Sequence, residues 1–558
     1  MTPLANGALL AAAVIVPFAG ALFGFALGGR WMRRVAYVTM AAGLGLAYQI
    51  AVAVFAGGQP LVYLLGGWTP PLGLALVANA TAAWMIGGVG VVVCGIGAFA
   101  YRDFGEHGPG ETRKAFMYWP LLLSIWGALN LAFVSNDLFT LYVALELLTF
   151  GGVPLVCLDG SASTLRAALR YVVFALVGSI LYLAGCVLLY GAYGTLDITL
   201  LASRVRPLPV TWTATAIMTV GLLAKTALFP LHLWLPPAHA GAPAAGSAVL
   251  SALVIKGSWF VCLRVWFDVM AATVSFSAAQ ILGALGAMAI VFASVLALRQ
   301  ERLKLLVAYS TLAQIGYLFL MFPLAYDVAQ HAMQHGPALD AGVLQALSHA
   351  TAKAAMFMSA GLVYAALGHD RIAGLAGVAR AMPLTVLAFA LSGFALMGIF
   401  PSGAYVAKKL LLGAADGSGQ WWWKVVLNGG AVFTAGYVAL VLSRALRAGS
   451  ATIVAPVSVV AQLAALFLAA MSFALALANV GVLTNPLAFT ELLNAAVVIG
   501  GGVVLAFLLA RRNDGLRAPW NGVALAERLD VTLRRWSPAG FCLLASAVAF
   551  GAAIAGGR

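Results

Sequence analysis

The chain has 558 residues, of which 63% are hydrophobic and only 9% are charged, whereas an average soluble domain has roughly 25% charged residues. This composition excludes a soluble globular domain and indicates an integral membrane protein. The formal net charge of +14 is compatible with a nucleic-acid partner. Whether it indicates one depends on where the basic residues lie along the chain.

Apolar runs long enough to cross a hydrocarbon core roughly 30 Å thick recur along nearly the whole chain. The runs are continuous rather than alternating, which excludes membrane β-strands. The sequence therefore predicts an all-α integral membrane protein with about 14–16 transmembrane helices. About sixteen candidate spans are centred near residues 17, 46, 88, 124, 146, 178, 219, 256, 287, 313, 352, 393, 435, 465, 497 and 547. The first is too long for a signal-peptide core, so we expect it to be retained.

The basic residues are distributed unequally between the loops. If each loop is numbered by the span that it follows, the odd-numbered loops hold twenty Lys and Arg and the even-numbered loops hold four. Those four are Arg204, Arg206, Arg264 and Lys424. This asymmetry predicts cytoplasmic odd-numbered loops and an outside N-terminus, in the inner membrane of a prokaryote. The positive charge thus reflects topology, and no nucleic-acid partner is expected.

The five cysteines are scattered in apolar surroundings without C-x-x-C spacing. Such residues are typical of small core side chains rather than ligands of a cluster or zinc ion. We therefore expect no metal and no cofactor in this chain. Without a redox, nucleotide or metal motif, the chain is not expected to be an enzyme on its own, although it could be a proton-pumping subunit of an oxidoreductase or transporter complex.

Six basic residues fall inside spans or at their edges, and all are lysines: Lys225, Lys256, Lys304, Lys353, Lys408 and Lys409. An ionised group at the bilayer centre costs at least about 2.5–3.5 kcal/mol. A desolvated lysine can exchange a proton near neutral pH, whereas arginine stays protonated. The pattern predicts proton transfer. For Lys304 and Lys409, near span ends, the alternative is that the ammonium reaches the headgroups.

One carboxylate lies well inside an apolar run, Glu146 in LYVALELLTF, while Asp137 and Glu491 lie nearer span ends. If Glu146 lay about 6 Å from Lys225, their attraction would be roughly 3 kcal/mol at an effective dielectric constant near 20. Opening and closing such a pair would switch the lysine between holding and releasing a proton. The alternative is a static buried ion pair.

In VLQALSHATAKAAMF, the residues Gln345, His349 and Lys353 recur every four positions and so share one helical face. A polar stripe inside a span must face protein or water. Because an unperturbed histidine titrates near pH 6.5, His349 is predicted to relay protons between amines. The alternative is a hydrogen-bonded core histidine.

Two spans contain helix breakers beside a lysine. In GLLAKTALFPLHLWLPPAHAG, Pro230 follows Lys225 by five residues, and in MGIFPSGAYVAKKLLL, Pro401 precedes Lys408. Proline removes a backbone donor and ends a helix. Irregular backbone at membrane depth is tolerated only against protein or a water-filled cavity, and paired broken helices are typical of inverted-repeat transporters. We predict broken helices 7 and 12.

Six motifs, in this order and spacing, are similar to those of the antiporter-like subunits of respiratory complex I and of Mrp-type sodium/proton antiporters. They are LYVALELLTF, LLAKTALFPLHLWLPPAHAGAP, SALVIKG, RLKLLVAYSTLAQIGY, SHATAKAAMF and GIFPSGAYVAKK. The resemblance covers roughly residues 115–415 and is strongest to the Mrp D-type and membrane-bound hydrogenase branch.

The resemblance implies a hydrated polar axis along the membrane plane, fed by half-channels from both sides. Its proton-transfer residues would be Glu146, Lys225, Lys256, Lys304, His349, Lys353 and Lys408, with Pro230, His232, His239 and Pro401 in gating segments. It also implies N-terminal helices 1–3 (1–114), inverted repeats of helices 4–8 (115–270) and 9–13 (271–447), and C-terminal helices (448–558).

Three positions depart from the family pattern. Gln345 stands where relatives commonly have a histidine, one turn before His349, so the relay there would be shortened or bridged by water. Pro237 replaces the usual aspartate after the broken seventh span and removes a carboxylate that could gate His239. The serine-rich start of the eighth span is altered to AAGSAVLSA.

The segment from Arg511 to Trp536 is basic and places Leu525, Leu529, Leu533 and Trp536 at helical spacing. It predicts a short cytoplasmic interfacial helix that anchors or docks the chain, with ordinary surface packing as the alternative. The segment is too short to be the long lateral helix of the largest complex I antiporter subunit.

Three functions follow as alternatives: a proton-translocating subunit coupled to partner subunits, a self-contained cation/proton antiporter, or a structural membrane subunit. Expected partners are protons, sodium or potassium ions, the lipid bilayer and other membrane subunits. Those subunits could form a sodium-antiport assembly, a hydrogenase or quinone-linked module, or an inorganic-carbon uptake complex.

Overall fold

The computed structural model of the chain describes residues 3–104, 112–482, 489–510 and 521–556. These residues form α-helices joined mostly by short loops, with two small antiparallel hairpins. The helices are α1 (Pro3–Leu27), α2 (Gly29–Gly57), α3 (Ala80–Phe104), α4 (Arg113–Val134), α5 (Leu138–Val156), α6 (Ala162–Tyr193), α7 (Ile198–Arg204), α8 (Pro209–Thr226), α9 (Leu235–Gly241), α10 (Ala244–Val249), α11 (Ile255–Leu263), α12 (Phe276–Leu298), α13 (Leu303–Phe319), α14 (Met321–Leu324), α15 (Pro337–Leu367), α16 (Val378–Ala381), α17 (Pro383–Leu396), α18 (Gly403–Gly417), α19 (Trp421–Ala445), α20 (Val459–Ala474), α21 (Phe489–Ala510), α22 (Asn521–Leu533) and α23 (Trp536–Gly556). The strands are β1 (Leu61–Leu64), β2 (Ala75–Ala78), β3 (Tyr326–Asp327) and β4 (Ala332–Met333). Strand β1 pairs with β2, from Leu61 opposite Ala78 to Leu64 opposite Ala75, and β3 pairs with β4.

Within the described ranges, fourteen helical segments are long and apolar enough to cross a membrane. The two remaining predicted spans are the broken ones, formed by α8 with α9 and by α17 with α18. The predicted all-α, multi-pass membrane architecture is therefore confirmed, and the sixteen predicted spans each correspond to a helix or to a broken helix pair.

The spans that carry the central lysines are the most enclosed. The buried share of the most apolar 18 residues is 100% in the span Ala244–Val269, 94% in Leu303–Leu324 and 83% in Pro337–Leu367. Only 17% are buried in the spans Glu491–Leu508 and Ser537–Gly556. Lipid is thus kept away from Lys256, Lys304 and Lys353, as polar groups at membrane depth require.

Both predicted breaks interrupt their helices. Helix α8 ends one residue after Lys225, where Ala227 takes a left-handed conformation with φ 60°. The indole nitrogen of Trp234 donates to the carbonyl of Ala224 at 2.9 Å and adds to the bond that this carbonyl accepts from the Ala227 amide at 3.3 Å. Helix α17 ends at Leu396, and α18 restarts at Gly403.

The eighth span departs from regular α-helix on both sides of Lys256. Residues Leu250–Val254 and Arg264–Val269 are π-helical, with α11 between them. A π-helical turn inserts a residue into the α-helical ladder and is frequent at functional sites. Within the first of these stretches, the backbone oxygen of Ser251 accepts a hydrogen bond from Lys256 Nζ at 2.7 Å.

The predicted interfacial helix is α22, and residues 511–520 lie outside the described residues. Its thirteen residues cover about 20 Å. Val523, Ala526 and Asp530 are buried against the helix bundle, whereas Leu525 and Leu529 are exposed. Trp536 starts the next helix instead of completing the leucine stripe, because the chain turns after Leu533. One face of α22 thus packs on the protein and the other carries exposed leucines, and its interfacial role stays a prediction.

Glycines bring the lysine-bearing helix α8 against α6. A Cβ atom added to Gly178 of α6 would lie 2.6 Å from the carbonyl oxygen of Gly221 in α8. The pair Gly286 and Gly316 brings α12 against α13 in the same way, again with a Cβ-to-oxygen distance of 2.6 Å. Small residues at such crossings allow helix backbones to approach closely, and this approach places Lys225 beside α6.

We expect Gly178→Val to separate α6 from α8 and to destabilise the protein by about 1–3 kcal/mol, because the close backbone contact cannot absorb a side chain. Gly191→Val is the matched control, since Gly191 lies in the same helix with open space around it. Thermal unfolding in detergent measures the difference. Equal melting temperatures for the two variants would show that this crossing does not need a small residue.

Candidate proton-transfer site

The first polar cluster joins α5, α6 and α8. Lys225 Nζ donates to Glu146 Oε1 at 3.3 Å, to Ser179 Oγ at 2.6 Å and to Thr149 Oγ1 at 3.0 Å. The Ser179 hydroxyl in turn donates to Glu146 Oε1. The carboxylate and the amine are therefore in direct contact, closer than the separation of about 6 Å assumed from the sequence.

The cluster offers a proton two routes between its charged members. One is the direct contact of Glu146 with Lys225, and the other passes through the hydroxyl of Ser179, which can accept from the amine and donate to the carboxylate. A buried ion pair is tolerated when further hydrogen bonds satisfy its atoms. The hydroxyls of Ser179 and Thr149 supply such hydrogen bonds to Lys225. The lysine lies in the last turn of α8, directly before the break.

The second cluster joins the eighth and eleventh spans. Lys256 Nζ lies 2.7 Å from His349 Nδ1, and both side chains are fully buried. An ammonium can only donate, so when Lys256 is charged, Nδ1 accepts and the ring hydrogen of a neutral His349 is on Nε2. When the amine is neutral, it can accept a hydrogen bond from a protonated imidazole. This contact can therefore pass a proton in either direction.

Lys353 lies one turn beyond His349 on α15. Its ammonium donates to the hydroxyl of Ser310 on α13 and lies 6.0 Å from the centre of the Tyr437 ring. In the part of the chain that the structure describes, no carboxylate lies within 4.0 Å of the amines of Lys256 and Lys353. Because like charges repel in a medium of low dielectric constant, a proton on one of these groups disfavours a proton on its neighbour.

Lys304, at the start of α13, donates to the backbone carbonyl of Ala242. Ala242 follows α9 directly and precedes Pro243, which opens the eighth span. The half-buried amine therefore points into the protein at the joint between the broken seventh helix and the eighth. This contact differs from the alternative of a side chain extended to the headgroups, and the role of Lys304 in proton transfer stays a prediction.

Gln345 lies one turn before His349 on α15. Its amide donates to Gln314 Oε1 at 3.3 Å, and Gln314 in turn donates to Thr434 Oγ1 at 3.3 Å. A cavity of about 20 Å³ lies between Gln345 and Lys408, which is room for about one water molecule. An amide and a water can thus connect the eleventh span to Lys408.

Lys408 also lines a larger cavity of about 400 Å³ between α18, α19 and α21. The neighbouring Lys409 forms an ion pair with Glu491 in the same cavity wall, and its ammonium lies 5.6 Å from the ring centre of Tyr405. Lys409 is therefore held by a carboxylate of the fifteenth span, while Lys408 stands between the small cavity and the large one.

The two loop histidines have different surroundings. His239 on α9 stacks on Phe357 with a ring-centre distance of 4.6 Å, and neither of its ring nitrogens has a hydrogen-bond partner among the described residues. This agrees with the loss of a gating carboxylate that Pro237 implies. His232, in the segment after Pro230, faces a carboxylate instead: its Nε2 lies 3.6 Å from Asp530 Oδ1.

Asp530 comes from α22, about 300 residues further along the chain, and sequence reasoning missed it. Its second oxygen accepts from Tyr309 at 3.0 Å and pairs with Arg534 at 2.6 Å. Its surroundings in the sequence are those of a solvated, charged helix. Only the docking of α22 on the broken seventh helix reveals it as a buried carboxylate.

The hydroxyl residues of the axis were also missed. They are Thr149, Ser179, Ser251, Ser310 and Thr311, and each makes a hydrogen bond to an axis residue or to another member of the set. Thr149 lies three residues after Glu146, and that helical spacing could have indicated it. The others lie on helices whose partners are set by packing.

We expect Asp530→Asn to loosen α22, because Arg534 loses its counter-charge and Tyr309 its charged acceptor, a change of about 1–3 kcal/mol. Amide hydrogen exchange of residues 521–533 should become about tenfold faster. Glu527→Gln is the control, since Glu527 lies on the same helix and pairs with Arg299 at the exposed surface. An equal effect of both substitutions would show that Asp530 has no special role in docking.

Comparison with known proteins supports the family assignment. Residues 135–434 match the family described as NADH:quinone oxidoreductase/Mrp antiporter, transmembrane. The chain is 33% identical to NADH-quinone oxidoreductase subunit N of Desulforudis audaxviator over 418 residues, which is 74% of this chain and 81% of the relative. It is 28% identical to the D-type Na(+)/H(+) antiporter protein of Bacillus subtilis, over 71% of this chain and 78% of the relative.

Two solved structures have the same fold. A chain of the Mrp complex from Dietzia sp. DQ12-45-1b superposes with a TM-score of 0.75 at 24% identity, covering 90% of this chain and 100% of that one. A chain of the membrane-bound sulfane sulfur reductase, an archaeal respiratory membrane complex, gives 0.75 at 25% identity, with coverages of 90% and 99%. This chain is therefore an antiporter-like membrane subunit of the NADH:quinone oxidoreductase/Mrp antiporter family.

Proposed function

We propose that the chain moves protons along its buried polar axis and is driven by partner subunits. The axis residues are those predicted from the sequence: Glu146, Lys225, Lys256, Lys304, His349, Lys353 and Lys408. The observation that carries the proposal is the contact of 2.7 Å between Lys256 and His349. Two titratable groups from different spans, both fully buried, meet there, and no carboxylate of the described residues lies within 4.0 Å of the Lys256 amine.

The intake end of the axis is the Glu146–Lys225 pair in the first of the two proposed repeats, helices 4–8. Moving the end of α8 at the break would lengthen the contact of 3.3 Å between them. A lysine that loses its counter-charge in a buried site holds its proton less strongly. The proton would then be free to continue along the axis through the central lysines.

The exit end of the axis is proposed to be Lys408, which lies in the second of the two proposed repeats, helices 9–13. From Lys353 a proton would reach Lys408 through a water molecule that Gln345 holds in the cavity of about 20 Å³. Lys408 borders the cavity of about 400 Å³, which would connect it to bulk water. The broken helix at Pro401 supplies the irregular backbone that such a cavity accommodates.

Partner subunits are proposed from the relatives. These are named as subunits of an NADH-quinone oxidoreductase and of a Na(+)/H(+) antiporter, and the similar structures belong to multisubunit complexes. The unequal loop charge supports an N-terminus on the outside of a prokaryotic inner membrane. Sodium or potassium remains a candidate for the coupled ion.

We expect Lys225→Ala and Glu146→Gln each to lower proton flux about tenfold or more, since a positioned proton-transfer group contributes factors of that size. The measurement is dye-reported proton uptake by proteoliposomes under an imposed membrane potential. Lys424→Gln is the control, because Lys424 pairs with Asp416 at the exposed surface. Equal flux in all variants would favour a purely structural role for the chain.

Gln345→Leu should lower proton flux about tenfold, because it removes the polar group that holds the bridging water while keeping a similar volume. Gln345→His should retain the flux, because an imidazole can carry the proton directly. Comparing the leucine and histidine variants distinguishes a loss of proton transfer from a disturbance of packing at residue 345. Full flux in the leucine variant would exclude this route to Lys408.

A further inference from the structure

A second polar cavity, of about 610 Å³, lies away from the axis, between α6, α9, α13 and the end of α22. Four of its lining residues are arginines: Arg166, Arg170, Arg302 and Arg534. Ser163, Gln300 and Tyr309 add hydrogen-bonding groups, and none of the described residues that line the cavity is a carboxylate. The cavity therefore presents a concentrated positive charge.

Two of the arginines are held in place from outside the cavity. Arg302 pairs with Asp370 at 2.9 Å, and Arg534 pairs with Asp530 at 2.6 Å. Arg166 and Arg170 lie on successive turns of α6 and so point to the same side. Among the described residues, the carboxylates of Asp370 and Asp530 pair with two of the four arginines. Guanidinium matches the geometry of phosphate oxygens.

The position of the cavity suits a lipid headgroup. Leu165 and Leu169, next to the two arginines on α6, are 52% and 62% exposed, and α22, whose Leu525 and Leu529 are also exposed, ends beside the cavity at Arg534. All the segments that line the cavity belong to, or adjoin, odd-numbered loops, which we place at the cytoplasmic leaflet. Basic cavities between membrane helices on that side bind anionic headgroups.

We propose that this cavity binds the phosphate group of an anionic phospholipid, whose acyl chains lie along the exposed leucines of α6 and α22. The bound lipid also touches the broken seventh helix, since Pro236, Pro237, Ala240 and Gly241 complete the cavity wall. Pro237 brings no charge to this wall, so nothing there repels a phosphate. The binding itself does not depend on proton transfer through the axis.

The test uses the full chain, purified in detergent and stripped of lipid, with dioctanoyl phosphatidylglycerol as the probe. Binding is followed by native mass spectrometry and by the shift in melting temperature. We expect phosphatidylglycerol to bind and to stabilise the protein, and the zwitterionic dioctanoyl phosphatidylcholine to do neither. Equal binding of both lipids would overturn the proposal.

The double variant Arg166→Gln/Arg170→Gln should weaken phosphatidylglycerol binding at least about tenfold, because it removes two phosphate contacts. The control Arg33→Gln/Arg34→Gln removes the same charge from α2, where the arginines lie over Tyr101 and Trp31, and should bind normally. Equal weakening in both would show that charge acts without a specific site.

Two further arms complete the test. Pro237→Asp keeps the four arginines and adds a carboxylate to the cavity wall, so it should also weaken binding, and it stands in for the double variant if that one fails to fold. A further arm with inorganic phosphate distinguishes a lipid headgroup from a free phosphate ion as the ligand. If millimolar phosphate stabilises the protein as much as phosphatidylglycerol does, the ligand is a free anion and the lipid assignment is wrong.

Discussion

An ionised group inside a membrane must find its counter-charge, its hydrogen-bond partners or its water within the protein. The axis lysines meet this requirement in different ways. Lys225 has a carboxylate with two hydroxyls, Lys256 has an imidazole and a backbone carbonyl, and Lys353 has a hydroxyl beside an aromatic ring. Only Lys225 of these three has a carboxylate partner within 4.0 Å among the described residues, whereas Lys256 contacts an imidazole, a group that can itself take up a proton. In the proposed function, this difference between the partners of the lysines would favour the movement of a proton from one site to the next.

The irregular backbone serves the same requirement. Helix α8 ends beside Lys225, and π-helical turns flank Lys256, so each amine lies next to backbone that departs from regular α-helix. Close glycine contacts between neighbouring helices then bring the side chains of different spans within hydrogen-bonding distance. A helix end and a π-helical turn can both change their pairing at low cost, which suits a site whose contacts must open and close.

The C-terminal region adds a second electrostatic element at the edge of the bundle. Asp530 joins α22 to Tyr309 and faces His232 of the broken seventh helix, while Arg534 belongs both to that contact and to the basic cavity. A peripheral helix is thereby tied to the segment that bears the loop histidines.

Much of the architecture could be read from the residues, because hydrophobic length, loop charge and helix breakers act locally along the chain. The sixteen spans, the breaks after Lys225 and near Pro401, and the lysines as chemical groups of interest all follow from such local signals. The partners of those lysines do not. The contact of Lys256 with His349 joins residues 93 positions apart, and the docking of Asp530 against His232 joins more distant ones. Pairing between helices depends on their rotation and crossing, which arise from packing over the whole bundle and leave no periodic trace in any one segment.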